Sequence, residues 1–304
     1  MRSSNLRIRT VPHLAARLGI ADKRLIQLAE QMSSHVRDVA IPKDDGGFRK
    51  AFAATGDLAT VHTRIRIRLL EPLPLPAGFH GSVSGRSPVT NAAAHVQKPI
   101  VANADIKDYF PSIHHSRIYR LFVSLECSPD VARILTRITT YNSSLAQGFS
   151  TSPKLANLVL AQMWPRIRGL EESMDVDATA YVDDLTLSGA SRAEKALQIL
   201  ETIVLESGFD LNPRKRKVMA RNSQQLVNNL VVNAKVNVPK AERRRLRSEI
   251  YRAKARGLRA AGGESSVRYF RHLRGRLGWA RYVNPQWGRR LASILDQLRP
   301  PHGS

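Results

Sequence analysis

Tyr181-Val182-Asp183-Asp184 sets two adjacent carboxylates between two apolar, strand-like runs, Ala178 to Val182 and Leu185 to Leu187. A tight turn there lifts both acids off the end of a rigid hairpin, where they can face a cation. Four such residues also recur by chance as a water-facing turn, so the reading needs a partner elsewhere in the chain. Ile100 to Ala104 is a second apolar run and it ends in Asp105. Alternation continued through Ile106-Lys107-Asp108-Tyr109-Phe110 puts Asp105, Lys107 and Tyr109 on one face and Ile106 and Asp108 on the other. Asp105 can therefore join the hairpin acids, whereas Asp108 is expected to cap the turn or helix that follows. Three carboxylates converging from neighbouring strands suit two Mg2+ ions, with Mn2+ as a substitute, because hard cations prefer oxygen ligands and keep positions free for phosphate and water. Two ions ~4 Å apart can activate a 3′-hydroxyl and stabilise a leaving pyrophosphate in one in-line displacement. The implied reaction is nucleotidyl transfer.

The elements that must position these acids follow from the hydrophobic pattern. From Ala102 to Val232 the order is strand, helix, helix, helix, hairpin, helix, strand, that of an α+β fold in which helices cover one face of an antiparallel sheet. A helix is predicted from His114 to Glu126. Ser128-Pro129 and Ser152-Pro153 each place a capping hydroxyl before a proline at the first helical position. Ser191 and Glu194 form a capping box, with Leu197, Leu200 and Val204 at core spacing and Gly208 as the stop. Pro165 is expected to kink or end the helix before it. Leu14 to Val36 has helical spacing with Asp22 as its cap. Residues 41–100 are richer in Gly and Pro and read as hairpins and loops.

Composition bounds the partners. The chain has 304 residues, 42% of them hydrophobic, enough to bury a sizeable core. A formal net charge of +23 points to a polyanion, and nucleic acid fits better than an anionic membrane. No apolar run approaches the ~20 residues needed to cross a bilayer, so no membrane partner is expected. Cys127 is the single cysteine, expected to be a buried small residue, which leaves no internal disulfide and fits a reducing cytoplasm. Residues 236–304 hold 17 Lys and Arg against 4 Asp and Glu. Such a one-signed excess repels itself unless phosphates neutralise it. Arg243 to Arg256 and Arg268 to Arg281 read as basic amphipathic helices broken by Gly262-Gly263, with Arg243, Arg247, Arg271 and Arg274 as RNA contacts.

In order along the chain, these residues resemble the reverse transcriptases. Asp105-Ile106-Lys107-Asp108-Tyr109-Phe110 is similar to the first catalytic motif. Gln147-Gly148-Phe149-Ser150-Thr151-Ser152-Pro153 resembles the template and nucleotide motif, and Tyr181 to Asp184 the second catalytic motif. Gly208-Phe209-Asp210-Leu211-Asn212 with Lys215 resembles the next, and Leu230-Val231-Val232-Asn233 the hairpin that grips the primer. The resemblance implies a right hand: an N-terminal helical region (1–40), fingers (41–104), a palm (105–235, with fingers helices interleaved at about 114–150) and a helical basic thumb (236–304). It implies that Asp105 and Asp183 bridge both metals, that Asp184 completes the cluster, and that the Ile106 carbonyl is a further ligand.

Phe110 then lies under the incoming sugar, where a bulky ring leaves no room for a 2′-hydroxyl; the alternative is a core aromatic. Lys43 and Arg49 flank Asp44-Asp45-Gly46-Gly47 and resemble the fingertip pair that clamps a deoxynucleoside triphosphate, against a generic basic hairpin. Gln147 and Gly148 would hold nucleotide against template, the glycine allowing close backbone approach. Lys215 is a candidate proton donor to pyrophosphate, in competition with Arg214, Arg216 and Lys217.

Asn91-Ala92-Ala93-Ala94-His95 resembles the Asn-Ala-x-x-His signature of bacterial retron enzymes. Val227-Asn228-Asn229 departs from their Val-Thr-Gly, and Val182 replaces their usual Ala. A retron enzyme copies a structured noncoding RNA, primes from an RNA 2′-hydroxyl and makes a branched RNA-DNA hybrid, in antiphage defence with an effector protein. Asn91 and His95 are candidate RNA contacts, with a turn amide and a satisfied core histidine as equal alternatives. No ribonuclease H domain is expected after the thumb, so a host ribonuclease H would remove template. The competing readings are a group II intron-like or abortive-infection reverse transcriptase, and a non-catalytic RNA-binding scaffold on the polymerase fold.

Overall fold

The computed structural model describes residues 5–42, 46–190, 192–258 and 266–299. Two short helices, α1 (Val11–Leu18) and α2 (Asp22–Glu30), open the chain. Asp22 is not the cap expected of it: Ala21 holds that position without a side-chain bond, and the Asp22 carboxylate accepts from the Lys23 amide. An antiparallel hairpin, β1 (Val36–Pro42) and β2 (Phe48–Ala54), leads into α3 (Gly56–Ile65) and a π-helical turn, Arg66–Leu70. After α4 (Pro88–Ala93) comes β3 (Ile100–Asp105). Then follow α5 (Tyr109–Ser112), α6 (His115–Ser124), α7 (Pro129–Thr139), the short pair β4 (Thr140–Tyr141) and β5 (Ser144–Leu145), α8 (Ser152–Leu160) and α9 (Trp164–Met174). The hairpin β6 (Val176–Tyr181) and β7 (Asp184–Gly189) precedes α10 (Ala193–Glu206), β8 (Lys217–Ala220) and a small hairpin, β9 (Leu226–Val227) and β10 (Leu230–Val231). Three helices close the chain: α11 (Lys240–Arg256), α12 (Ser266–Val283) and α13 (Pro285–Asp296).

Four strands form one antiparallel sheet in the order β6-β7-β3-β8. Alternation along β3 divides its residues between two interiors. Ala102, Ala104 and Ile106 join the large core shared with α9, α10 and the N-terminal helices, while Val101 joins a second core with Met219, Val227, Leu230 and the closing helices. Asn103 and Asp105 share Val101's face. In register with them on β7 stand Thr186 opposite Asn103 and Asp184 opposite Asp105. That face is therefore polar at its Asp105 end and apolar towards Val101, while the opposite face is apolar throughout.

Several expected boundaries shift for identifiable reasons. Strand geometry stops at Asp105, so the alternation does not run on to Phe110; Asp108 adopts a left-handed backbone (φ 45) at the start of α5 and makes no side-chain cap, its carbonyl accepting from the Ser112 amide. His114 caps α6 through its ring. Ser128 caps α7 as expected, but Ser152 is the first residue of α8 rather than its cap, because the Ala146 carbonyl takes its hydroxyl. Pro165 starts α9 instead of ending a helix. Ser191 of the expected capping box and the Gly262-Gly263 break lie outside the described residues. Cys127 is buried and free. The final helix, α13, has no counterpart in the sequence reading, although Asn284 before Pro285 carries its signal: the Asn284 side chain accepts from the Trp287 amide.

Candidate active site

The β6–β7 turn holds Val182 and Asp183, and Val182 takes φ 62, a left-handed conformation rare for a β-branched side chain. What fixes the turn is a backing segment absent from the sequence reading. Phe79 bridges Ala180 in parallel, and the amide of His80 donates to the Ala180 carbonyl. A Cβ on Gly81 would sit 2.5 Å from the Val182 nitrogen, so only glycine allows this approach. The Asn157 side chain on α8 donates to the Gly81 carbonyl and ties the backing segment down.

On that support Asp184 faces Asp105 across β7 and β3, and the Ile106 amide donates to the Asp183 carbonyl at 3.0 Å. The two acid-bearing segments are thus stitched together at the point where their acids emerge. Lys107 donates its amide to Asp210, and Asn212 donates to the Asp105 carbonyl, which anchors the segment carrying Lys215. Lys215 Nζ then lies 2.6 Å from Asp105 Oδ2.

Asp105 and Asp183 line an open cleft of about 1340 Å3, together with Arg49, Ile106, Phe110, Gln147 and Lys215 among others, and Asp184 stands beside them across the strand pair. Burial raises the Asp183 carboxyl pKa, as does the charge of Asp105, while Lys215 and Arg49 oppose the rise. Asp184 is pushed up to about 7, first by burial and then by Asp183 and its bond to Asp105. Burial lowers the Lys215 ammonium, but its bond to Asp105 and the charges of all three acids outweigh this and leave it raised. Carboxylates that resist ionising beside one another lack positive charge, and a divalent cation with oxygen preference supplies it. Among the described residues no group of three or more His, Cys, Asp or Glu side chains is gathered closely enough to hold a metal ion by itself. The oxygen donors Asp105, Asp183, Asp184 and the Ile106 carbonyl are the groups that could hold divalent ions here, with Lys215 as the cation that offsets Asp105 otherwise.

Around the acids the structure sorts the expected contacts. Phe110 is half-buried and lines the cleft below the acids' turn. Arg49 is exposed on β2 and lines it too; Lys43 lies outside the described residues. Gln147 lines the cleft, and its carbonyl accepts the Phe52 amide at 2.8 Å, docking the β1–β2 hairpin. Gly148 has φ 106 and a Cβ there would stand 2.5 Å from the Phe52 carbonyl oxygen. Its close backbone approach is to the hairpin, not to the cleft. Phe48, 69% exposed at the hairpin tip, also lines the cleft and went unnoticed in the sequence because a single aromatic in a Gly-rich loop has no periodic signal.

Two expected RNA contacts are corrected. Asn91 and His95 are both fully buried. His95 bonds the Ser188 and Thr179 hydroxyls at 2.7 Å each, and burial pushes its pKa down to about 4, so it is a neutral, satisfied core histidine. Of the arginines expected to meet RNA, Arg247, Arg271 and Arg274 are exposed, whereas Arg243 is half-buried, donates to the Val238 carbonyl and lies near the Trp287 ring.

The family model described as Reverse transcriptase (RNA-dependent DNA polymerase) matches residues 41–260. The chain belongs to the reverse transcriptase family. It is 31% identical to the "Retron Mx65 reverse transcriptase" of Myxococcus xanthus over 97% of this chain and 72% of that protein. It is 28% identical to the "Retron Ec86 reverse transcriptase" of Escherichia coli over 95% of this chain and 88% of that one. A third relative, the "Retron Mx162 reverse transcriptase" of Myxococcus xanthus, is 27% identical over 94% of this chain and 66% of its own length. The polymerase is thus of retron type despite Val227-Asn228-Asn229 and Val182. Its family works on nucleic acid with divalent metal ions, and no helix among the described residues is long and apolar enough to cross a membrane.

Proposed function

We propose that this reverse transcriptase copies a structured noncoding RNA, bound by the same chain, into DNA joined to an RNA 2′-hydroxyl, giving a branched RNA-DNA hybrid. The observation that carries the catalytic part is the cross-strand pairing of Asp105 with Asp184 beside the Asp183 turn, with Asp105 and Asp183 lining a cleft that Phe110, Arg49 and Gln147 also line. Two Mg2+ ions, when bound, supply the Lewis acidity that readies the attacking hydroxyl and neutralises the departing pyrophosphate. Asp105, Asp183 and Asp184 hold that charge in place. Phe110 bars the 2′-hydroxyl of a ribonucleotide, and Gln147 orients the sugar and base. Arg49, with Lys43, clamps the triphosphate. Lys215 keeps Asp105 neutralised until substrate arrives and then stands within reach of the leaving group as its proton donor. The exposed Arg247, Arg271 and Arg274 on α11 and α12 meet RNA phosphates. We assign the fingers to 41–104, the palm to 105–235 and the thumb to 236–304, and the work of the enzyme to the cytoplasm, in antiphage defence with an effector protein and host ribonuclease H.

The test is synthesis from the RNA that copurifies with the protein. Given dNTPs and Mg2+, the wild type should extend DNA whose sequence is complementary to that RNA and which stays attached to it after denaturation. Asp183→Asn with Asp184→Asn should abolish the product while RNA affinity stays similar. DNA of random sequence made without template, or unattached product, would overturn the proposal in favour of another bacterial reverse transcriptase activity.

A further inference from the structure

The polar residues of the Asn91 to His95 stretch take no part in the chemistry above, yet both are fully buried. Each reaches a different hairpin. Asn91 Nδ2 donates to Asn228 Oδ1 at 2.5 Å, at the tip of β9–β10. His95 bonds Thr179 on β6 and Ser188 on β7, the strands that carry Tyr181 to Asp184. Gln97, at the end of the same segment, receives the Val232 carbonyl on its amide and reaches the Ala234 carbonyl with its side chain. The segment is therefore clamped at both ends.

The β9–β10 hairpin is itself held in place on two sides. Asn228 and Asn229 have φ 47 and 61, the two left-handed residues of a tight hairpin turn between Val227 and Leu230. The Asn103 side chain pins Leu226 to β3, and Gln225 is held by the Lys98, Pro99 and Met219 carbonyls. Asn91 Oδ1 is buried with no partner. Desolvating an amide for one bond is a net cost, so that bond is retained for placement rather than for stability.

We propose that residues 88–97 form a strut fixing the spacing between the catalytic hairpin and the β9–β10 hairpin, with Asn91 as a positioning residue for the primer terminus. The proposal rests on reading β9–β10 as the primer-gripping hairpin. The strut joins the two retron signature positions into one mechanical unit: the Asn of Asn-Ala-x-x-His holds the central residue of Val227-Asn228-Asn229. Moving the hairpin tip moves the primer 3′-hydroxyl relative to Asp105, Asp183 and Asp184, and leaves the nucleotide contacts at Arg49, Phe110 and Gln147 where they are.

Single-turnover extension of an annealed primer-template with saturating Mg2+ tests this. Asn228→Gly deletes the acceptor and keeps the left-handed turn, so it should fold normally. Asn228→Gly, Asn91→Ala and the double variant should each slow extension of bound primer by a similar factor, ~10- to 100-fold, as expected for a misplaced reacting group. The KM for dNTP and the affinity for RNA should stay within about twofold of wild type, because a local placement error leaves those contacts intact. Asn228→Asp, which keeps an acceptor oxygen and tolerates the turn, should restore most of the rate. Wild-type extension by Asn228→Gly, or losses that multiply in the double variant, would overturn the strut. Val231→Ala, on the hairpin itself, separates the two failures. If it slows extension while Asn228→Gly does not, the strut alone is wrong; if it leaves extension unchanged, the primer-grip reading falls and the proposal with it.

Discussion

Replacing Asp184 by Asn should inactivate the polymerase and stabilise its metal-free fold. The wild-type carboxyl is raised from an ordinary 3.8 to about 7, by burial first and by Asp183 and Asp105 next. At ~1.4 kcal/mol for each tenfold change in proton affinity, crowding costs on the order of 4 kcal/mol above pH 7. That is an upper bound, because Asp184 keeps some solvent and Lys215 offsets part of the repulsion, so about 2 kcal/mol is expected from the substitution. For a chain of this size such a gain raises the thermal transition by roughly 3 °C. The sign follows from proton linkage. Well below pH 3.8 the carboxyl is protonated both folded and unfolded, and Asp184→Asn changes little. As pH rises towards 7 the unfolded chain releases a proton that the folded chain retains, so the wild type loses stability across that window and the variant does not. Thermal unfolding in EDTA at pH 4.5, 6 and 8 should therefore show a gap between the two proteins that widens with pH. Saturating Mg2+ should raise the wild-type transition more than that of the variant and narrow the gap at pH 8. A variant less stable than wild type in EDTA at pH 8, or a gap independent of pH, would mean that the three acids do not share one site.

Three further outcomes follow from single features. Phe110→Ala should raise the use of ribonucleotides relative to deoxynucleotides by ~100-fold in kcat/KM ratio, since the ring's bulk is the discriminating element; an unchanged ratio for dCTP against CTP would return Phe110 to the core. Gly148→Ala puts a methyl 2.5 Å from the Phe52 carbonyl at φ 106, so the β1–β2 hairpin should lose its docking, with a higher KM for dNTP and about 1–3 kcal/mol less stability by denaturant unfolding. The triple variant Arg247→Gln, Arg271→Gln and Arg274→Gln should flatten the dependence of log RNA affinity on log salt by about 2 to 3, one phosphate for each arginine. A slope equal to wild type would remove these side chains from the RNA path.

What the sequence revealed divides by the range of the interaction. The acids of Tyr181 to Asp184 and Asp105 were legible because adjacency and strand alternation are local, and the register that sets Asp105 opposite Asp184 follows once both strands are placed. Lys215 was named only through the resemblance of the Gly208 to Asn212 stretch and the lysine after it, because its bond to Asp105 spans 110 residues and leaves no local trace. Asn91 and His95 fall in the same class. A short helix and the turn after it, carrying Asn91 and His95, offer no periodic clue to which hairpin each side chain will meet, so exposure and burial stood level until the fold placed Asn228, Thr179 and Ser188 around them. Ser152 failed as a cap for a related reason: the Ala146 carbonyl, six residues back, competes for its hydroxyl. Local rules list the partners a hydroxyl can take, and tertiary structure chooses among them.

The strained Val182 shows how the site is set before any ligand arrives. A left-handed β-branched residue costs on the order of 1–2 kcal/mol, and an isolated hairpin would relax it by rotating the turn, which would swing Asp183 away from Asp105. Here relaxation is blocked on every side. β6 and β7 are laddered through Tyr181 and Asp184, His80 is bonded to Ala180, and Gly81 lies so close to the Val182 nitrogen that no side chain fits between them. The Ile106 amide holds the Asp183 carbonyl from the third direction. Strain and like-charge crowding are thus concentrated on one turn and offset by the surrounding ladder and core, which leaves the carboxylates preorganised for incoming positive charge.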